Sequence, residues 1–340
     1  MSRGYLLLKP AVRSVRSPEG KLTLHYRGRT VLLDESGAAA FEDLRSRLCG
    51  TVCADEALDA LSTAEDAPDG RVLRALSDAG MIAELSLPAT SQEHLSGEQA
   101  FWLLDADLCR MKFGAANTLL RRDLEARIAS GQVSQDVVEG YLVELGWLLR
   151  EVPRELALAV ATAPNETIRR LYVRYFKEEV DHGEMLFERL IRWIPRASLL
   201  SYYPLPSAVA LVNLYRAMAG DGALSYAVAL MHDESSPLDP PASANTDPYT
   251  GMRLHYEVPD EVIDIYAWHA NLDRDCDHGI FPLEIFRHLG PVHRSALAPL
   301  RARMQTLFET HAMWRRQLLA YYSGHCVADR FLATDDSPRT

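Results

Sequence analysis

The chain has 340 residues, more than one ordinary domain holds, so two domains are expected. Hydrophobic residues make up 48% and charged residues 24%, the balance of an ordinary globular protein. The formal net charge of −11 argues against a nucleic-acid partner or an anionic membrane surface. The five cysteines (Cys49, Cys53, Cys109, Cys276 and Cys326) form no zinc-type pairing of motifs, and a reducing, cytoplasmic compartment is the natural reading. The opening MSRGYLLLKPAVRS has too short an apolar run for a secretory signal, and no stretch approaches the ~20 apolar residues of a membrane span.

In chain order, Lys21 to Asp34 reads as a β-hairpin. Leu22, Leu24 and Tyr26 alternate, Arg27-Gly28-Arg29 turns, and Val31 and Leu33 alternate again. Ser36 to Leu48 reads as a helix with Ala40, Phe41, Leu44 and Leu48 on one side, stopped by Gly50. Further short helices are predicted over Ala54–Leu61 and Gly70–Ala79, the latter ended by Gly80, and Met81–Leu85 reads as a closing strand. Residues 1–87 thus read as a small α+β domain of winged-helix type. Residues 88–97 are polar and read as a linker. From 98 to 330 the pattern is helical: Glu98–Arg110, Asn117–Ala129, Ser134–Val152, Asn165–Trp193, Pro206–Met218, Ala223–His232, Pro259–Asp277 and Ala296–Tyr322. Asp233 to Glu257, rich in Ser, Pro, Asp and Asn, reads as a long loop of the kind that serves as a lid or site loop. Residues 331–340 read as a frayed tail. The fold class expected is mainly α, a helical bundle preceded by the small α+β domain.

One helix carries an anomaly. At three- and four-residue steps its inward stripe is Ile168, Tyr172, Tyr175, Glu179, His182, Leu186, Leu190. Lys177, Glu178, Asp181, Glu188 and Arg189 fall off it. The helix therefore points a carboxylate and an imidazole at the core, where an unpaired charge is costly. A metal ion offsets that cost for both at once, and Glu-x-x-His places the two groups one turn apart on one face. The helix after Pro259 repeats the pattern: His269 and Asp273 share an arc with Val262, Ile265, Tyr266, Leu272, Cys276 and Ile280. Its end, Asp275-Cys276-Asp277-His278-Gly279, echoes Glu179-Val180-Asp181-His182-Gly183. On a regular helix Asp275 and His278 point away from the core; a π-bulge near Asp277 would turn His278 inward. Glu144 lies at the edge of the stripe Val138, Tyr141, Leu145, Leu148, Val152. Glu234 ends an apolar helix where the long loop begins. A single buried Glu/His pair can be an internal hydrogen-bonded pair; two such pairs on two long helices of one domain favour a metal site.

With these residues in view, Glu139–Ile191 and Tyr256–Gly279 resemble the heme-oxygenase-like di-iron oxidases. These form the iron-containing redox-enzyme branch of the heme-oxygenase/TenA superfamily. That family's signature is an early core glutamate, Glu-x-x-His, a further glutamate, then His-x-x-x-Asp-x-x-His. The resemblance implies that Glu144, Glu179, His182, Glu234, His269 and Asp273 are metal ligands. Cys276 stands where the family has its last histidine, and His278 fills that place in the alternative register. It further implies two Fe(II) ions per chain, O2 as co-substrate, and oxidation of an amino acid, peptide or similar metabolite in natural-product biosynthesis: N-oxygenation, desaturation or oxidative C–C cleavage. The alternatives are a metal-free enzyme of the same superfamily and a non-catalytic recognition or scaffold protein with a degraded site. The N-terminal part resembles the RiPP recognition element, the winged-helix fold of the PQQ-biosynthesis peptide chaperone, through its hairpin, Ser36–Leu44, Leu48–Thr51 and Leu76–Leu85. That resemblance implies a leader-peptide or carrier-protein partner bound by strand addition, and the alternative is a dimerisation or packing domain. A small-molecule or peptide substrate and a homodimer complete the expected partners.

Overall fold

The computed structural model describes residues 4–8, 12–26, 28–47, 49–53, 67–86, 93–113, 123–195, 200–234, 248–275 and 281–331. The N-terminal part contains β1 (Gly4–Leu8), β2 (Arg13–Arg16), β3 (Leu22–Tyr26), β4 (Arg29–Leu33), α1 (Glu35–Arg47), β5 (Cys49–Cys53), α2 (Pro68–Asp78) and β6 (Ile82–Ser86). Then come β7 (His94–Leu95), α3 (Gly97–Phe113), α4 (Asp123–Ala129), α5 (Gln135–Ala161), α6 (Glu166–Glu179), α7 (His182–Trp193), α8 (Pro206–Gly220) and α9 (Ala223–Glu234). The last elements are α10 (Pro248–His255), α11 (Asp260–Asp275), α12 (Phe281–His288), β8 (Val292–His293) and α13 (Leu297–Tyr322). No helix among the described residues is long and apolar enough to cross a membrane.

The chain forms two compact units. One comprises Met1–Thr118, Ala227–Ser243 and Arg274–Gln305. It holds two antiparallel three-stranded sheets, ordered β5-β1-β6 and β2-β3-β4. The predicted hairpin is β3–β4, in the register Leu22↔Leu33, Leu24↔Val31. Gly28 turns it with φ 76°, the left-handed region that glycine enters without strain. Leu22, Leu24, Val31 and Leu33 point into a core shared with Phe41 and Leu44 of α1 and Val72, Leu73 and Leu76 of α2. After α2, Gly80 takes φ 67° and the Met81 N–H returns to the Leu76 carbonyl, a Schellman stop. Strands β1, β2 and β5 were not read from the sequence. Gly4–Leu8 is a continuous apolar run, which offers no alternation to read as a strand, and it forms the centre of its sheet between β5 and β6. Helix α3, expected in the helical domain, clusters with the sheets, and its Ser96/Gln99 start is a reciprocal capping box. Gly97 lies so close to α12 that a Cβ would stand 1.7 Å from the Phe286 carbonyl oxygen. Helix α12 was also missed, its eight residues being too few to show a period.

The second unit comprises Leu119–Tyr226, Ala244–Asp273 and Thr306–Thr340. Its axis is α5, which packs against α6, α7 and α8. From Val137 to Gly146 nearly every residue of α5 is buried, so the helix is enclosed on all sides. The sequence ends this helix at Val152. The structure runs it through Pro153 to Ala161. Lost amide and ring clash cost about 3 kcal/mol in an isolated helix, and burial against three neighbours outweighs them. The predicted single helix Asn165–Trp193 is two helices. Asn165 caps α6 by accepting the Ile168 N–H at 2.9 Å, and Val180–Asp181 separate α6 from α7. The predicted loop Asp233–Glu257 contains α10, which packs on α4; a Cβ on Gly251 would stand 2.3 Å from Ala129 Cα. The predicted helix Ala54–Leu61 and residues 332–340 of the tail lie outside the described residues, while Phe331 forms an isolated antiparallel bridge with Tyr202.

Candidate metal centre

All seven residues of the α6–α7 stripe are buried, Glu179 and His182 included. The ring Nδ1 of His182 stands 2.8 Å from Glu179 Oε2. From α11, His269 brings its Nε2 to 3.9 Å from the same Oε2. The two imidazole rings meet edge to face, 5.1 Å between centroids. One ligand atom from each of Glu179, His182 and His269 lies within 4.8 Å of the other two. Burial by itself would raise the Glu179 carboxyl. The hydrogen bond to His182 and the nearness of the His269 ring outweigh it and hold the group at about 2. Trp268, 38% exposed, sets its ring edge to face against His182 at 5.5 Å between centroids.

Close helix packing fixes this geometry. Gly183 follows His182, and a Cβ there would stand 2.6 Å from Arg150 Cα, so α7 starts directly against the α5 backbone. Gly146 on α5 similarly admits the Tyr266 hydroxyl of α11, which donates to the Leu142 carbonyl at 2.6 Å. The two glycines let α7 and α11 close on α5 and bring their histidines together.

The other predicted ligands divide. Glu144, read from the sequence as an edge residue, is fully buried, because α5 is enclosed on all sides where the periodicity argument assumed one buried face. Its Oε1 accepts from the Tyr202 hydroxyl and, at 2.8 Å, from the Leu205 N–H. Its Oε2 accepts from Trp314 Nε1 at 3.4 Å. Among the described residues Glu144 does not join the Glu179–His182–His269 group. Glu234 closes α9, half-buried, in the first compact unit. Asp273 follows His269 by one turn on α11; its side chain, and Cys276 and His278, lie outside the described residues. Sequence reasoning missed Tyr202, Tyr322, Trp314 and Trp268. The first three join Glu144 from positions 58 or more residues away, and no local pattern signals such a meeting.

No family model and no curated protein matches the chain. Similar solved structures exist. A domain of unknown function with a heme oxygenase-like fold from Shewanella denitrificans OS217 matches with a TM-score of 0.50 at 12% identity, covering 66% of this chain and 90% of that one. A TenA homolog from Pseudomonas syringae pv. tomato DC3000 matches at 0.47 and 12%, covering 64% and 93%. A TenA family transcription regulator from Silicibacter sp. TM1040 matches at 0.43 and 14%, covering 65% and 96%. The first of these gives the architecture: a heme-oxygenase-like helical fold, joined to a small α+β part at the N-terminus.

Proposed function

We propose that Glu179, His182 and His269 bind a transition metal, iron(II) by preference, and that the protein is an O2-dependent oxidase or oxygenase of an amino acid, peptide or similar small metabolite. The observation that carries this reading is the convergence of one buried carboxylate and two imidazoles from two helices, ligand atoms within 4.8 Å of one another. That donor set suits iron(II). The iron would supply the one-electron chemistry towards O2 that closed-shell side chains lack. Asp273, one turn beyond His269, is proposed as a further ligand on helix register. The chain's own contribution is positional. Glu179 stays ionised and turns one oxygen to both rings, so a cation there, proton or metal, is shared by all three groups. Burial around them excludes bulk water and strengthens that attraction. Trp268 braces the His182 ring through an edge-to-face contact.

The deciding experiment is anaerobic Fe(II) loading followed by elemental analysis. Wild type should retain iron, while Glu179→Ala and His182→Ala should lose it with far-UV circular dichroism unchanged. Normal iron content in both variants sinks the assignment. An iron-free wild type returns the protein to the metal-free, TenA-like alternative. For the N-terminal sheets we propose engagement of a peptide along β4, which ends its sheet. Titrating the full chain with candidate leader peptides tests this, and the absence of binding makes the sheets structural.

A further inference from the structure

The first compact unit holds a pair of histidines outside the candidate metal centre. Strands β7 and β8 pair antiparallel in the register His94↔His293, Leu95↔Val292. Side chains alternate across a strand, so Leu95 and Val292 both turn inward and are buried, while His94 and His293 share the outer face and are exposed. The Arg294 N–H donates to the Glu93 carbonyl at 2.7 Å. That bond makes Glu93/Arg294 a hydrogen-bonded pair. The next pair along, His94/His293, is then of the non-hydrogen-bonded kind, in which facing side chains stand closest. The two rings meet edge to face with 5.1 Å between centroids, the separation also found between His182 and His269.

We propose that His94 and His293 form a zinc(II) site on the surface of this unit, with water completing the coordination. Zinc bonds imidazole nitrogen at about 2.0–2.1 Å, and a tetrahedral angle at the ion then sets two ring centroids about 5 Å apart. The observed spacing therefore admits the ion through rotation of the rings alone. One nitrogen of each ring suffices, so the other keeps a hydrogen-bond partner. For His293 that partner is Ser295, whose hydroxyl oxygen lies 2.6 Å from Nδ1. With this hydroxyl accepting from Nδ1–H, the lone pair sits on Nε2, and the ring is oriented as zinc-bound imidazoles are by their outer partners. The Ser295 N–H, at a longer 3.3 Å from the same Nδ1, is the contact that this tautomer gives up.

The ion would act as a clip. β7 and β8 have two residues each, a pairing that is marginal by itself. Shared ligation ties the chain just before the Ser96/Gln99 capping box of α3 to the chain just before the 3-10 turn Arg294–Ala296. Closing so long a loop removes entropy from the unfolded chain, which stabilises the folded one. The site shares no residue with the Glu179–His182–His269 group and does not depend on the function proposed for it.

The test is calorimetric titration of the full chain, stripped with EDTA, with zinc chloride. Wild type should bind zinc at this site, and His182→Ala, which disables the other centre, should retain it. His94→Ala and His293→Ala should each weaken it at least tenfold. Ser295→Ala should weaken it about tenfold by releasing the His293 ring. His25→Ala, an exposed histidine outside the pair, should change nothing. Zinc should also raise the melting temperature of wild type and of His182→Ala by several degrees, but not that of the His94 or His293 variant. All three substituted groups at the site are exposed, so the zinc-free melting curves should coincide; His94→Asn takes the place of His94→Ala if they do not. Full zinc affinity in either histidine variant, or an equal loss in His25→Ala, overturns the proposal.

Discussion

Gly183→Ala sets two effects of opposite sign against each other at the candidate centre. Alanine is the better helix former, by up to about 1 kcal/mol in a helix interior and less in a first turn, where Gly183 sits. Against this, a Cβ at 183 would stand 2.6 Å from Arg150 Cα and 2.8 Å from its backbone nitrogen. Carbon atoms in contact prefer about 3.5–4 Å, so α7 and α5 must separate by about 1 Å at this level. Neither atom belongs to a side chain that can swing away. Overpacking of this kind costs about 1–3 kcal/mol. Steric cost should win, with a net loss of about 2 kcal/mol and a melting temperature lowered by roughly 4–8 °C, taking about 2–4 °C per kcal/mol. The consequence for the site is larger than for the fold. His182 precedes Gly183 directly, and a shift of about 1 Å carries its Nδ1 from 2.8 Å out of hydrogen-bond range of Glu179. Disturbing the support of a ligand typically costs about 10–100-fold in metal affinity. Thermal circular dichroism and anaerobic Fe(II) titration measure the two effects on one sample. A variant with unchanged or higher melting temperature and full metal affinity would show that α7 doesn't depend on this close approach, and the packing argument for the site would fail.

Two further predictions concern buried polar groups of the same unit. Tyr172→Phe removes the bond to the Ala223 carbonyl from a fully buried position and should lower stability by about 1 kcal/mol in urea titration; a neutral result would mean the carbonyl finds another donor. Glu144 is raised above 4.5 because burial outweighs its bonds from Tyr202, Leu205 and Trp314. With the folded-state value the higher, its contribution to stability is complete below 4.5 and is lost as pH rises through the folded value. Glu144→Gln cannot titrate, so wild type should lose stability relative to the variant as pH increases from 4.5, and urea midpoints that run parallel in the two proteins contradict this.

Legibility of the structure followed how much of each signal is local. The β3–β4 hairpin was readable because Leu22, Leu24, Val31 and Leu33 alternate around a glycine turn, and one sheet face is core. β1 was unreadable because an unbroken apolar run carries no period. Of the candidate ligands, Glu179, His182 and His269 were findable because each sits on a helix with one buried stripe. Glu144 was misjudged for the opposite reason. Where a helix is buried all round, position on a stripe no longer separates inside from outside. The Tyr202–Tyr322–Trp314 group around it is assembled entirely by tertiary contact, and nothing in the neighbourhood of any of the three residues announces the others.

The break between α6 and α7 explains why a periodicity argument that assumed one continuous helix still placed Glu179 and His182 together. Val180 has φ −59° and ψ −32°, and Asp181 has φ −100° and ψ −12°, so both stay in the right-handed helical basin. The chain bends there without unwinding. The angular phase of the stripe therefore carries across the break, and Leu186 and Leu190 remain buried in register with Ile168 and Tyr172. What the bend changes is direction. It starts α7 at His182 and lays Gly183 on Arg150, a contact that a side chain at 183 would forbid. Glycine immediately after the histidine and the bend immediately before it thus serve one geometric end: they hold an imidazole against a carboxylate in the interior, with a second imidazole arriving from α11.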